Sequence, residues 1–149
     1  MAKFTYKMQN ILDIKYKLET QAKTAFSIAA ANLRKEEEKL MELNQRREQY
    51  EAEAKKLVAD KLDFLAIKVN RAAIENIKGA IRSQTLAVQI AQRNLESARR
   101  HLQEVMIDRK THEKLKEKAF DEFKKELEKD ESKVVDELVS FTHNHAENE

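Results

Sequence analysis

No cysteine and no proline occur in this 149-residue chain, and its single glycine is Gly79. Without cysteine there is no disulfide framework, no thiolate nucleophile and no Cys-ligated zinc. With one glycine there is no phosphate-cradling loop, because such loops need several glycines to bring backbone N–H groups close to phosphate. Sheet proteins turn often, and the glycine and proline that their turns use are missing. Long apolar runs are missing too. The longest weakly apolar stretch, Phe26 to Ala31, contains Ser27, whereas a membrane span needs about 20 residues. Nor does a secretory signal open the chain, since Lys3, Lys7, Asp13, Lys15 and Lys17 are mixed into Met1 to Leu18. These absences lead to the expectation of a soluble intracellular protein without a membrane span.

What is present is Ala, Glu, Lys, Leu and Arg, the composition of long helices and coiled coils. Charged residues make up 38%, but 29 Lys and Arg against 27 Asp and Glu leave a net charge of +2, so self-repulsion is weak. Leu, Ile, Val and Phe total 36 of 149 residues, above the roughly 20% that marks disordered chains. The chain is therefore expected to fold.

The apolar period gives the fold. Ile67, Ile74, Ile81, Val88, Leu95 and Leu102 are spaced by seven without a slip, and the series continues as Arg109, Lys116 and Phe123. A companion series runs Ile77, Gln84, Ala91, Ala98, Val105, His112, Ala119. Together they form the a/d stripe of a helix packed along one seam. Phe123, Leu127, Val134, Leu138 and Phe141 extend it toward the C-terminus. The first half reads Met8, Lys15, Ala22, Ala29, Glu36, Leu43, Tyr50, Leu57, with a companion Ile11, Leu18, Ala25 and then, one residue late, Leu33, Leu40, Arg47, Ala54. Gly79 does not break the pattern, because Ile74, Ile77 and Ile81 keep the beat through it. The break falls at Ala59-Asp60-Lys61-Leu62-Asp63, where Asp63 can N-cap a new helix.

The expectation is an all-α fold: a long antiparallel two-helix coiled-coil hairpin with an overhanging C-terminal helix. One domain covers residues 1–141, with helix 1 over about 4–58, a turn at about 59–63 and helix 2 over about 64–141. Residues 142–149 are expected to form a polar, flexible tail. A turn near residue 61 places position i opposite about 123 − i, over roughly 80 Å of paired helix at 1.5 Å per residue. Lys15, Glu36, Arg47, Arg109 and Lys116 interrupt the seam, so the hairpin is expected to be marginally stable and to work by contact.

Catalytic and ligand signals are weak. No Glu-x-x-His motif occurs, which removes the di-iron bundle pattern. Glu104, Asp108 and His112 share a face, yet the opposing segment offers Asp13 and Glu19 at most, and surface charge is the better reading. His143 and His145 lie in the polar tail. Arg93, Arg99, Arg100, Arg109 and Lys110 are interleaved with Glu96, Glu104 and Asp108, so no one-signed face for nucleic acid forms. The expectation is no enzyme, no cofactor and no nucleic acid.

The opening Phe4-Thr5-Tyr6-Lys7-Met8-Gln9-Asn10-Ile11-Leu12-Asp13-Ile14-Lys15 resembles that of the bacterial flagellar export protein FliJ family. The segment Asp108 to Lys118 is similar to the family's charged stretch before its final aromatic and acidic residues. The likeness covers about residues 4–137. The chain departs from the family at the turn, which lacks glycine, and at Ala73, where relatives carry an aromatic residue. The resemblance implies a non-enzymatic, stalk-like rod of the flagellar type III export apparatus, needed for flagellum assembly, motility and chemotaxis. Such a rod sits in the cytoplasm, peripheral to the inner membrane at the flagellar base. Implied partners are the export ATPase hexamer, the cytoplasmic domain of the membrane export gate and export chaperones, with a monomer as the free state. The gate surface is carried onto Leu43, Tyr50, Ile77, Ala80 and Gln84. The end that enters the ATPase ring would hold Phe4, Met8, Ile11, Leu12, Leu115, Phe120 and Phe123. The stalk protein of a virulence secretion system, or a generic structural coiled coil, shares the same features.

Overall fold

The computed structural model describes residues 2–147. It is all-helical: α1 (Gln9–Ala59) and α2 (Phe64–Glu147) pack against each other as an antiparallel hairpin, with no strand among the described residues. Both helices are far longer than an isolated segment needs for helicity, and neither contains proline to interrupt it. Asp63 starts α2. Its side-chain oxygen Oδ1 accepts from the Ala66 N–H at 3.2 Å and its carbonyl accepts from Ile67 at 3.0 Å. That satisfies donors a helix start otherwise leaves open.

Four contacts between the helices follow the register read from the sequence, whereas Glu19–Arg109 and Tyr16–Glu113 reach five or six residues beyond it. Lys15 meets Asp108, Phe4 meets Phe120, Glu36 meets Gln84 and Tyr50 meets Asn70, each within about a turn of position 123 − i. The α2 stripe also holds. Ile77, Val88 and Ala91 are buried, and Ile67, Ile74, Ile81, Leu95, Leu102, Phe123 and the companions between them are half-buried.

On α1 the first turns differ from expectation. Leu12 and Glu19 are buried, at 2% and 5% exposure, while Ile11, Leu18 and Ala25 are exposed. The companion series is therefore Leu12, Glu19, Phe26, Leu33, Leu40, Arg47, Ala54, spaced by seven without the late step. The apparent slip arises because an on-beat position holds a carboxylate. Glu19 can occupy the seam because Arg109, itself on the α2 beat, reaches it with two bonds: Nε to Oε2 at 2.6 Å and Nη2 to Oε1 at 3.1 Å. Three of the five charges expected to weaken the seam, Lys15, Glu36 and Arg109, are thus partnered across it, while Arg47 pairs with Glu51 along α1. Lys15 pairs with Asp108 at 2.7 Å, and Glu36 accepts from Gln84.

The boundaries also differ in detail. α1 starts at Gln9 rather than near Phe4, because the preceding residues cross to α2, where Phe4 packs edge-on against Phe120 (5.1 Å) and beside Phe123 (5.4 Å). The polar stretch from Thr142, expected as a flexible tail, is helical as far as Glu147. Thr142 Oγ1 donates to the Leu138 carbonyl and His145 stacks on Phe141, contacts that the α-helix itself brings together. Residues 148 and 149 of that stretch lie outside the described residues. From Glu128 to Ala146 every residue is exposed, as an overhang requires. Where one domain was expected, packing gathers into two compact units, Met1–Thr20 with Glu104–Glu149, and Gln21–Gln103.

Gly79 lies inside α2 with no left-handed backbone angle, and a Cβ there would meet only the Arg82 Nη2 at 3.7 Å. Gly79→Ala should then stabilise by about 1 kcal/mol through helix propensity, raising the melting temperature by roughly 2–4 °C; a fall in a thermal scan would contradict this reading. For the buried pair, Glu19→Leu and Arg109→Leu should each lower the melting temperature, and the double variant should be more stable than either single one. The reason is that each single change leaves a desolvated charge behind, while the double removes both. Circular-dichroism melts of the four proteins test the ordering.

Candidate functional site

The sequence points to two partner surfaces, one in each unit. In the unit containing Gln21–Gln103, the residues aligned to a gate-facing patch do not all reach solvent. Ile77 is 7% exposed and belongs to the core. Leu43 and Gln84 are half-buried, and the Gln84 side chain is spent on Glu36, donating to its backbone carbonyl at 2.9 Å and to its carboxylate. Ala80 is exposed, and so is Tyr50 at 36%. The Tyr50 backbone carbonyl accepts from Asn70 Nδ2 at 3.1 Å, which ties this turn of α1 to α2 and leaves the phenol at the surface. Tyr50 and Ala80 are thus the exposed members of the set, and Ile77 is its buried one.

In the unit containing Met1–Thr20 and Glu104–Glu149, the aromatic end is built by Phe4, Phe120 and Phe123, with the Lys124 ammonium 4.6 Å from the Phe120 ring centre. Leu12 is core, whereas Met8, Ile11, Leu115 and Phe120 remain substantially exposed. Beside this end runs a polar layer that sequence reasoning did not find. Arg109 joins Glu19 to Glu113, its Nη1 donating to Glu113 Oε2 at 3.0 Å, and the Tyr16 hydroxyl donates to Glu113 Oε1. The signal available in the sequence was an arginine, Arg109, on the α2 beat; the register 123 − i sets it opposite Ile14, five residues from Glu19.

Glu113, Tyr16 and Asp108 are each shifted by a partner. The Tyr16 hydrogen bond, joined by Arg109, holds the Glu113 carboxyl below its usual range, and the same bond raises the Tyr16 phenol. Lys15 lowers Asp108, whose carboxylate also lies 3.5 Å from His112 Nε2. Among the described residues no group of three or more His, Cys, Asp or Glu could hold a metal ion. No helix among them is long and apolar enough to cross a membrane.

The signs give a pH profile. Carboxylates with depressed pKa stabilise the fold above their unfolded value, about 4, and lose that contribution as pH falls through the folded value. A raised phenol stabilises below its unfolded value, about 10, and loses the contribution as pH rises through the folded one. Melting temperature should therefore decline on both sides of a neutral plateau. Tyr16→Phe should flatten the alkaline limb, and an unchanged limb would remove Tyr16 from the account.

No curated protein matches the sequence. Among solved structures, a putative YscO homolog from Chlamydia trachomatis is similar in fold: TM-score 0.80, 21% identity, with 99% of each chain covered. The model of the flagellar FliJ protein matches residues 4–148, nearly the full sequence, and by that match the chain belongs to the FliJ family.

Proposed function

We propose that this protein is a stalk-like, non-enzymatic component of the flagellar type III export apparatus, coupling the export ATPase ring to the cytoplasmic domain of the export gate and escorting export chaperones. The observation that carries the reading is the family match over residues 4–148. The two long paired helices support it, because they supply surface for contact with partners. On this reading the protein is peripheral to the cytoplasmic face of the inner membrane, and its work serves flagellum assembly and motility.

Within it, the ring-facing end is formed by Phe4, Phe120 and Phe123 with the exposed Met8, Ile11 and Leu115, and Leu12 holds that end together from inside. The gate-facing surface centres on Tyr50 and Ala80, flanked by Leu43 and Gln84 over buried Ile77. Tyr combines apolar area with a polar tip and is a frequent interface anchor.

The test is capture of the export ATPase and of the gate's cytoplasmic domain by the full chain. Tyr50→Ala should lower gate affinity at least fivefold, about 1 kcal/mol, while the melting temperature moves little. A sharp drop in melting temperature with unchanged affinity of the folded protein would return Tyr50 to the seam. Failure to capture either partner would overturn the export reading.

A further inference from the structure

The turn between the helices carries apolar residues that neither the seam nor the two partner surfaces use. Phe64 is 77% exposed and Leu65 72%, the highest values among the large apolar side chains, with Val58, Val69 and Leu62 also above 60%. They do not form a stripe. Val58 ends α1, Leu62 lies in the turn, and Phe64, Leu65 and Val69 lie in the first turns of α2 while Ala66, Ile67 and Asn70 occupy the half-buried side. The result is an exposed apolar cluster at the turn.

Charge around the tip has one prevailing sign. From Lys55 to Arg71 the chain holds five basic residues, Lys55, Lys56, Lys61, Lys68 and Arg71, against Asp60 and Asp63. Asp63 caps α2, accepting from the Ala66 N–H, and with Asp60 it leaves this segment a net charge of +3. Elsewhere basic and acidic residues nearly balance, for a net of +2 over the whole chain. An exposed apolar cluster set among long cationic side chains suits an anionic bilayer surface. The rings and branched chains enter the boundary between headgroups and acyl chains, and the lysines keep their ammonium groups at the lipid phosphates.

We propose that this turn is a direct membrane-surface contact, in which Leu62, Phe64 and Leu65 insert shallowly into an anionic bilayer and Lys61 and Lys68 meet its headgroups. The proposal goes beyond the export reading, because it requires no protein partner. It also differs from a membrane span, for which no helix here is suited.

The chain has no tryptophan, so Phe64→Trp makes a single fluorescent reporter at the tip. Full-length Phe64→Trp is titrated with vesicles of equal phosphatidylglycerol and phosphatidylcholine, and with phosphatidylcholine alone. Expected are a blue-shifted emission with the anionic vesicles, at least fivefold weaker binding to the neutral ones, and reversal by high salt. Co-sedimentation of the unlabelled chain with the anionic vesicles should fall at least fivefold in Phe64→Ser/Leu65→Ser and in Lys61→Glu/Lys68→Glu. It should not fall in Lys110→Glu/Lys114→Glu, which removes equal charge far along the sequence. All these positions but Lys61 lie on the exposed surface of a helix and Lys61 lies in the turn, so circular dichroism should be unchanged. No emission shift, or equal loss of binding in the Lys110/Lys114 variant, would overturn the proposal. So would a Phe64→Ser/Leu65→Ser protein that still binds vesicles fully but no longer captures the gate's cytoplasmic domain, since the tip would then serve a protein.

Discussion

A carboxylate held out of water has to be met by a cation, and the pairing of α1 with α2 near the chain ends is organised around that requirement. Glu19 is buried and Arg109 grips both of its oxygens. An ion pair in this position adds little net stability over well-packed apolar residues, because desolvation offsets its attraction. Its effect is on register. Sliding one helix by a turn would take Arg109 from Glu19 and bring Val105 or Met106 there in one direction and His112 or Glu113 in the other, whereas sliding an alanine or leucine by a turn costs much less. The seam of Ala22, Ala91, Val88 and Ile77 provides burial but discriminates poorly between offsets, and the ion pair supplies the discrimination that small apolar residues lack.

Around that pair several other polar residues have their charge answered. Arg109 shares its third nitrogen with Glu113, Glu113 accepts from Tyr16, and Lys15 reaches Asp108. Further along, Gln84 and Glu36 play the same part with one charge fewer. Hydrogen bonds with an ionised partner are the stronger kind, and their directionality fixes geometry. Stability in this molecule is therefore sensitive to proton concentration at positions that also define alignment.

α2 was readable because its on-beat positions are mostly Ile, Val, Leu and Ala, and Ile77, Val88 and Ala91 duly lie in the core. The antiparallel register was readable too, since one capped turn leaves little freedom in how two helices meet. The start of α1 was not, for one physical reason. A hydrophobic period detects burial by apolarity, and Glu19 is buried while polar, so Ile11 and Leu18 appeared to carry the stripe although both face solvent. The same blindness affects surfaces. Ile77 looked equally suited to seam and patch, and only packing separates it from Tyr50. Phe64 and Leu65 fall off the beat at the turn, where a search for periodicity has no use for them.

The distances along the chain between paired residues impose an order on the molecule's assembly during synthesis. Asn70 reaches Tyr50 across 20 residues and Gln84 reaches Glu36 across 48, but Arg109 reaches Glu19 only across 90 and Glu113 reaches Tyr16 across 97. Loop closure is cheaper for the shorter separations, and a ribosome supplies the distal partner later. At about 5–20 residues per second, Glu19 waits roughly 5–20 s for Arg109 to be made. Pairing that starts at the turn closes the shorter loops first, and on that order the two charges that decide the alignment meet after the apolar contacts nearer the turn. They act as a proofreading lock on a zipper already largely closed, and a misaligned hairpin must reopen before it can satisfy them.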